Sequence, residues 1–164
     1  IDPKSEEEEE MFWSEKIGVV APHNAQGRAI IRRILESFRH ETHLPRSKFM
    51  DLLKSTVYSV EKFQGSDRDL IISSIGLSDE DKIRSEDEFI FNLNRFNVLT
   101  SRAKHKIIFI ASNEFLNYIP EDRKVLEEAS KIYAYAEEFC NKEKEIKVRN
   151  EKNEEETCRF KYKG

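Results

Sequence analysis

Ile17-Gly18-Val19-Val20-Ala21-Pro22-His23-Asn24-Ala25-Gln26 opens on five apolar residues in succession and closes on a polar turn. A strand with water on one side alternates apolar and polar residues. An unbroken apolar run of this length fits a parallel strand covered on both faces. Pro22 ends it, because proline has no N–H to give to a ladder. A helix should follow, with Asn24 as candidate N-cap and Ile30, Ile31, Ile34, Leu35 and Phe38 on one stripe. Downstream the same pattern repeats: residues 57–60 and 70–75 read as strands, 94–104 as helix and 106–111 as a fourth strand. Alternation of this kind predicts an α/β fold, a mostly parallel sheet with helices on both faces. Pro120 should start another helix, with Val125, Ala129, Ile132, Ala136 and Phe139 at 3–4-residue spacing. Beyond it Ile146 and Val148, then Cys158, Phe160 and Tyr162, alternate on either side of a polar stretch, which suggests a C-terminal hairpin.

The chain has 164 residues, the length of one domain, with 38% apolar and 37% charged residues. No apolar stretch approaches a membrane span, and the start lacks the basic and apolar regions of a secretion signal, so neither a membrane nor a secretory protein is expected. Net charge is −4. The first ten residues hold six acids against Lys4, a balance of −5, which leaves the other 154 at +1 and free to carry basic patches. Cys140 and Cys158, without Cys-x-x-Cys spacing, write neither a zinc site nor a disulfide framework. Reduced cysteines point to the cytoplasm, or to the nucleus in a eukaryote. Residue 1 is not Met and leads into an acidic run, as in a piece cut from a longer chain. The organisation read from these features is an acidic linker over 1–15, an α/β core over 16–119, and a helix with a charged tail over 120–164.

Three segments hold chemistry-bearing residues. The turn ending at Gln26 stands at the carboxyl end of the first strand, where open α/β sheets bind ligands. Arg28, Arg32 and Arg39 share one strip of the helix after it, readable as a solvated face or as a phosphate-facing one. Between the second and third strands, Gly65 permits close backbone approach while Gln64, Ser66 and Asp67 offer donors and acceptors, though a plain hydrogen-bonded turn would look the same. In the 91–104 segment Arg95 and Arg102 lie seven apart, so they project from one helix face about 10.5 Å apart. Guanidinium forks suit phosphate oxygens, and a solvated helix would also carry such a pair. The acidic stretch 78–88 lacks metal-ligand spacing and reads as a solvated loop.

In order and context these segments resemble the second RecA-like domain of superfamily 1 helicases, in the 1B branch that holds nonsense-decay RNA helicases and flap-processing DNA helicase–nucleases. The strand and turn of 17–26 resemble Ile-Gly-Ile-Ile-Thr-Pro-Tyr-x-x-Gln. Residues 59–69 resemble motif V, Ser/Thr-Val-Asp-x-Phe-Gln-Gly-x-Glu-x-Asp, and 95–104 resemble motif VI, Arg-Leu-Asn-Val-x-x-Thr-Arg-Ala-Lys.

The resemblance implies a RecA-like, P-loop NTPase-type fold and one half of an ATP-dependent helicase or translocase. Arg102 would be the arginine finger reaching the γ-phosphate, with Arg95 its supporting motif VI partner. Gln64, Gly65 and Asp67 would lie at the nucleotide, Gln64 coupling it to the strand. Ser59, Gln26 and Arg28 would line the track of single-stranded nucleic acid, with DNA favoured over RNA. Asp67 stands where the family has Glu, one methylene short. The chain has no Gly-x-x-x-x-Gly-Lys-[Ser/Thr] loop, so ATP and Mg²⁺ would be held mainly by an upstream RecA-like domain of the same protein, and these 164 residues alone should not hydrolyse ATP. The rival reading is a non-catalytic nucleic-acid-binding or adaptor domain that kept the fold.

Overall fold

A computed structural model describes residues 4–63, 67–150 and 152–164. The chain forms two compact units, Ile1–Tyr118 and Ile119–Gly164. Unit 1 is built on a four-stranded parallel sheet: β1 (Ile17–Val20), β2 (Val57–Tyr58), β3 (Arg68–Ser74) and β4 (Ala103–Ile110), in the order β2-β1-β3-β4. Val19 pairs with Val57 on one side, and Ile17, Gly18, Val19 and Val20 pair with Leu70, Ile71, Ile72 and Ser73 on the other. All four residues of β1 are buried, which is why its run is apolar without alternation. The chain leaves β1 in one direction to reach β2 and comes back past it to reach β3. The carboxyl ends of β1 and β3 therefore form a topological switch point.

Successive β1 side chains feed two cores. Ile17 and Val19 join Trp13, Leu35, Leu44, Phe49, Leu53 and Val57 under α2 (Asn24–Ser37) and α3 (Arg46–Thr56). Val20 joins Val60, Ile71 and Leu99 under α6 (Leu93–Ser101) on the opposite face. The second strand is shorter than its sequence pattern suggests. After Tyr58 the backbone tightens into a 3₁₀ turn, Val60–Phe63.

From Ser5 on, the expected linker over 1–15 is instead folded. Residues Glu6–Met11 form α1, continued by a π-helical turn, Phe12–Lys16. Ser5 Oγ accepts from Glu8 N at 3.2 Å, and four glutamates occupy the first turn, where the positive end of the helix dipole favours them. Glu9 is buried, accepting from Thr42 Oγ1 at 2.7 Å and His43 N at 2.8 Å. Trp13 anchors the segment edge-on against Phe12, Phe38 and Phe49.

The acidic stretch expected as a loop is also helical, forming α4 (Glu80–Ser85) and α5 (Asp87–Ile90). Asp79 caps the first by accepting from Lys82 N at 3.0 Å, and Ile83 and Ile90 point into the interior. A stack of Phe91, Phe115 and Tyr118 closes this end of the unit, with α7 (Asn113–Asn117) supplying Phe115.

Unit 2 has α8 (Arg123–Ala134), capped by Asp122 rather than started at Pro120, then a π-helical turn, Tyr135–Phe139. Its buried stripe, Val125, Ala129 and Ile132, is the first part of the one the spacing predicts, while Phe139, in the π-helical turn, is exposed. The hairpin follows as antiparallel β5 (Lys142–Arg149) and β6 (Glu155–Tyr162), Ile146 opposite Cys158. Among the described residues, no helix is long and apolar enough to cross a membrane.

Candidate functional site

The sheet separates the candidate residues into two groups. Because α6 runs back from the carboxyl edge of the sheet to its amino edge, Arg95 and Arg102 stand at opposite ends of it. The geometry does not bring them to one point.

At the amino edge, Arg102 is the C-cap of α6 and the residue before β4, with its carbonyl accepting from Arg68 N at 3.1 Å. The turn that carries the guanidinium is thus tied to the first residue of β3. Arg102 Nη1 lies 3.3 Å from Asp67 Oδ1, with the two side chains 36% and 51% exposed. An exposed pair of this kind contributes less than about 1 kcal/mol. The Nε atoms of Arg102 and Arg68 are buried and, among the described residues, have no hydrogen-bond partner. Arg68 Nη1 turns back to the carbonyl of Asp67 at 3.0 Å. Beside them Lys16 Nζ sits 3.1 Å from Asp69 Oδ2, and His105 Nε2 is 4.0 Å from the other oxygen. The hydrogen bond from Lys16 holds the Asp69 carboxyl below the ordinary carboxylate range. This edge therefore presents the exposed part of the Arg102 guanidinium, whose N–H groups can donate to an anion's oxygens. Gln64 and Gly65 lie outside the described residues.

At the carboxyl edge, Gln26 sits in the first turn of α2 and gives both Nε2 hydrogens to Ser74, one to its carbonyl and one to its hydroxyl, each at 3.1 Å. Those bonds strap the β1 turn to the end of β3. Gly76, with φ of +63°, lets the side chain pass: a Cβ there would lie 2.0 Å from Gln26 Nε2. Ser59 follows β2 directly, and Tyr58 accepts from Ala21 N at 3.0 Å. Arg28 is exposed on α2. His23 Nε2 lies 2.6 Å from Glu86 Oε2, and its ring stacks on Phe89 at 5.4 Å. Arg95 lies over the same ring, 3.8 Å from its centroid. Val20, Pro22, Ser73, Ile75, Phe96 and Leu99 line a shallow apolar recess below this arginine.

Phe89, Glu86, Gly76, Lys16 and Asp69 were not legible as site residues. Only Gly76, a glycine two residues past a strand end, carried a signal. Among the described residues, no group of three His, Cys, Asp or Glu side chains could hold a metal ion.

Residues 4–114 match the family model described as "AAA domain". The putative helicase mov-10-B.1 of Danio rerio is 31% identical over 121 residues, which covers 65% of this chain and 11% of that protein. The DNA replication ATP-dependent helicase/nuclease DNA2 of Mus musculus is 33% identical over 104 residues, 63% of this chain and 8% of the relative. The regulator of nonsense transcripts 1 homolog of Drosophila melanogaster is 29% identical over 126 residues, covering 71% and 10%. The chain spans roughly a tenth of the length of these relatives.

Proposed function

This chain belongs to the AAA domain family, in its superfamily 1 helicase branch, and from that membership we propose that it is the second RecA-like half of an ATP-dependent nucleic-acid helicase or translocase. The observation that carries the reading is Arg102. It stands on a turn fixed to β3, at the edge of the sheet, with its part-exposed guanidinium turned to the exposed carboxylate of Asp67. A γ-phosphate brought to this edge by the other half of the enzyme would take the guanidinium from Asp67. It would exchange one exposed ion pair for charge-assisted bonds to a dianion. The donors here fit phosphate. Mg²⁺, which shields phosphate charge when bound, would be held by the half that carries the phosphate loop.

In the loose transition state of phosphoryl transfer, negative charge shifts from the γ-phosphoryl group toward the leaving-group oxygens. A guanidinium placed there stabilises the transition state more than bound ATP. Arg95 has a different part, since its guanidinium covers Phe89 and roofs the recess. It positions the carboxyl-edge turn and α6, on whose far end Arg102 stands. Gln26, Ser59 and Arg28 lie toward that edge and would follow one strand of nucleic acid, gripping mostly phosphates. DNA is favoured over RNA, since relatives named for DNA replication stand among the matches. ATP-driven closure of the cleft would move this track against the other half. Such an enzyme would work in the cytoplasm, or in the nucleus of a eukaryote.

One observation favours the rival, a nucleic-acid-binding or adaptor domain without catalysis: Arg102 already has a counter-charge in Asp67. Steady-state ATP hydrolysis by the full-length protein, with and without Arg102→Ala, separates the two readings. A helicase loses turnover, whereas an adaptor has none to lose.

A further inference from the structure

Unit 2 lies beyond the family match, and the proposed function makes no use of it. Its hairpin has two unlike faces. On one, Lys161 is paired with Glu137 of the π-helical turn and with Glu143, 3.8 Å away, and is only 19% exposed. Lys163 lies on the same side, 4.6 Å over the Phe139 ring. This face packs on the turn that precedes it. The register puts a different set on the opposite face: Lys142 faces Tyr162 and Lys144 faces Phe160 across the strands. The two rings stack with centroids 5.8 Å apart and planes 24° apart, and Lys144 Nζ is 5.5 Å from the Phe160 centroid. Tyr162 remains 37% exposed.

We propose that this face, Lys142, Lys144, Phe160 and Tyr162, is a contact for single-stranded nucleic acid, its rings stacking on bases while the lysines meet the adjoining phosphates. An acidic peptide would satisfy the lysines, and an apolar partner would satisfy the rings. A single strand presents flat π-faces and anionic groups at every unit, and so satisfies both. Among the described residues Glu156, near the hairpin tip, is the one acid on the face, so the charge complementarity lies at the base of the hairpin, where the rings are. The inference rests on the proposed function only for the choice of polymer, because the residues belong to a different unit.

The test uses the full 164-residue chain, with labelled thymidine and uridine oligomers longer than the roughly 4–16 nucleotides of a typical site. Fluorescence anisotropy at low salt gives the affinity. Replacing both rings (Phe160→Leu with Tyr162→Leu) keeps apolar bulk and removes both aromatic faces, and should weaken binding about 30-fold or more. The same change should have no effect on an abasic oligomer, which the wild type should bind as weakly as the variant binds the normal one. Tyr162→Trp places an emitter in the face, and added strand should quench it, while Trp13, buried, gives a background that the strand does not reach.

Unchanged affinity in the leucine variant, strand binding without quenching, or no strand binding at all would each overturn the proposal. Arg28→Glu keeps its failure distinct from that of the carboxyl-edge track. If only Arg28→Glu weakens binding, the track stands and the hairpin contact is wrong. The reverse pattern supports the hairpin and removes the track.

Discussion

Gly76→Ala tests how the carboxyl edge is assembled. Two costs are separable in the structure. The first is backbone: φ at residue 76 is +63°, and an L side chain held there costs about 1–2 kcal/mol. The second passes through Gln26, because the new Cβ would lie 2.0 Å from its Nε2. That atom ends a flexible side chain, so the clash is relieved by rotation. Rotation, however, gives up both hydrogen bonds to Ser74, each worth about 0.5–1.5 kcal/mol. The full cost of Gly76→Ala is then about 2–5 kcal/mol. Gln26→Ala alone removes the two bonds, at about 1–3 kcal/mol. In a Gln26→Ala background, Gly76→Ala should cost only its backbone part, about 1–2 kcal/mol, leaving a coupling of about 1–3 kcal/mol. Urea unfolding followed by Trp13, the single tryptophan and part of the unit 1 core, reads the cycle directly. Equal costs in the two backgrounds, or a cost below about 1 kcal/mol in the wild type, would refute the strap.

The folded state of α1 makes a prediction about its glutamates. Glu9→Ala removes the acceptor of Thr42 Oγ1 and His43 N and should cost about 1–3 kcal/mol in the same urea assay, while exposed Glu6→Ala and Glu7→Ala stay within about 0.5 kcal/mol. A linker would make all three neutral. The Asp69 carboxyl is held below its ordinary 3.8 by Lys16, so its contribution is present above that value and is lost as pH falls through the lower folded-state value. The stability gap between wild type and Asp69→Asn should thus be open at neutral pH and close in acid. A gap that widens as pH falls would contradict the assigned sign.

The parallel sheet was legible because β1 has no alternation: burial on both faces is the one setting in which Ile-Gly-Val-Val-Ala is a comfortable strand. The hairpin and the first part of the α8 stripe were legible for the same reason, a period that matches a geometry. Charge hides structure at two places in the chain. Five successive glutamates look like repulsion in an extended chain, yet at a helix start they meet a positive dipole end, and Glu9 finds donors 33 and 34 residues away that no local pattern announces. The 78–88 stretch hides its helices because its one apolar residue, Ile83, makes no period. Helix α3 escaped notice with only Phe49 and Leu53 to mark its buried side. In the candidate site, seven-residue spacing set Arg95 and Arg102 two turns apart along α6. It could not say that two turns carry the chain from one edge of the sheet to the other, with Phe89 holding the first arginine.

The claim that Arg102 acts on phosphoryl transfer is tested most directly by turnover and nucleotide affinity measured together in the full-length enzyme. Fingers of this kind contribute roughly 10³–10⁵ in rate, or about 4–7 kcal/mol. Arg102→Ala should lower kcat by that factor, leave the ATP Kd within a few-fold, and hardly move the melting temperature, since the exposed pair with Asp67 contributes less than about 1 kcal/mol. Arg102→Lys should restore little, because an ammonium lacks the planar fork. If Arg102→Ala keeps more than about a tenth of the wild-type rate, the loss is below about 1.4 kcal/mol and Arg102 is not the finger.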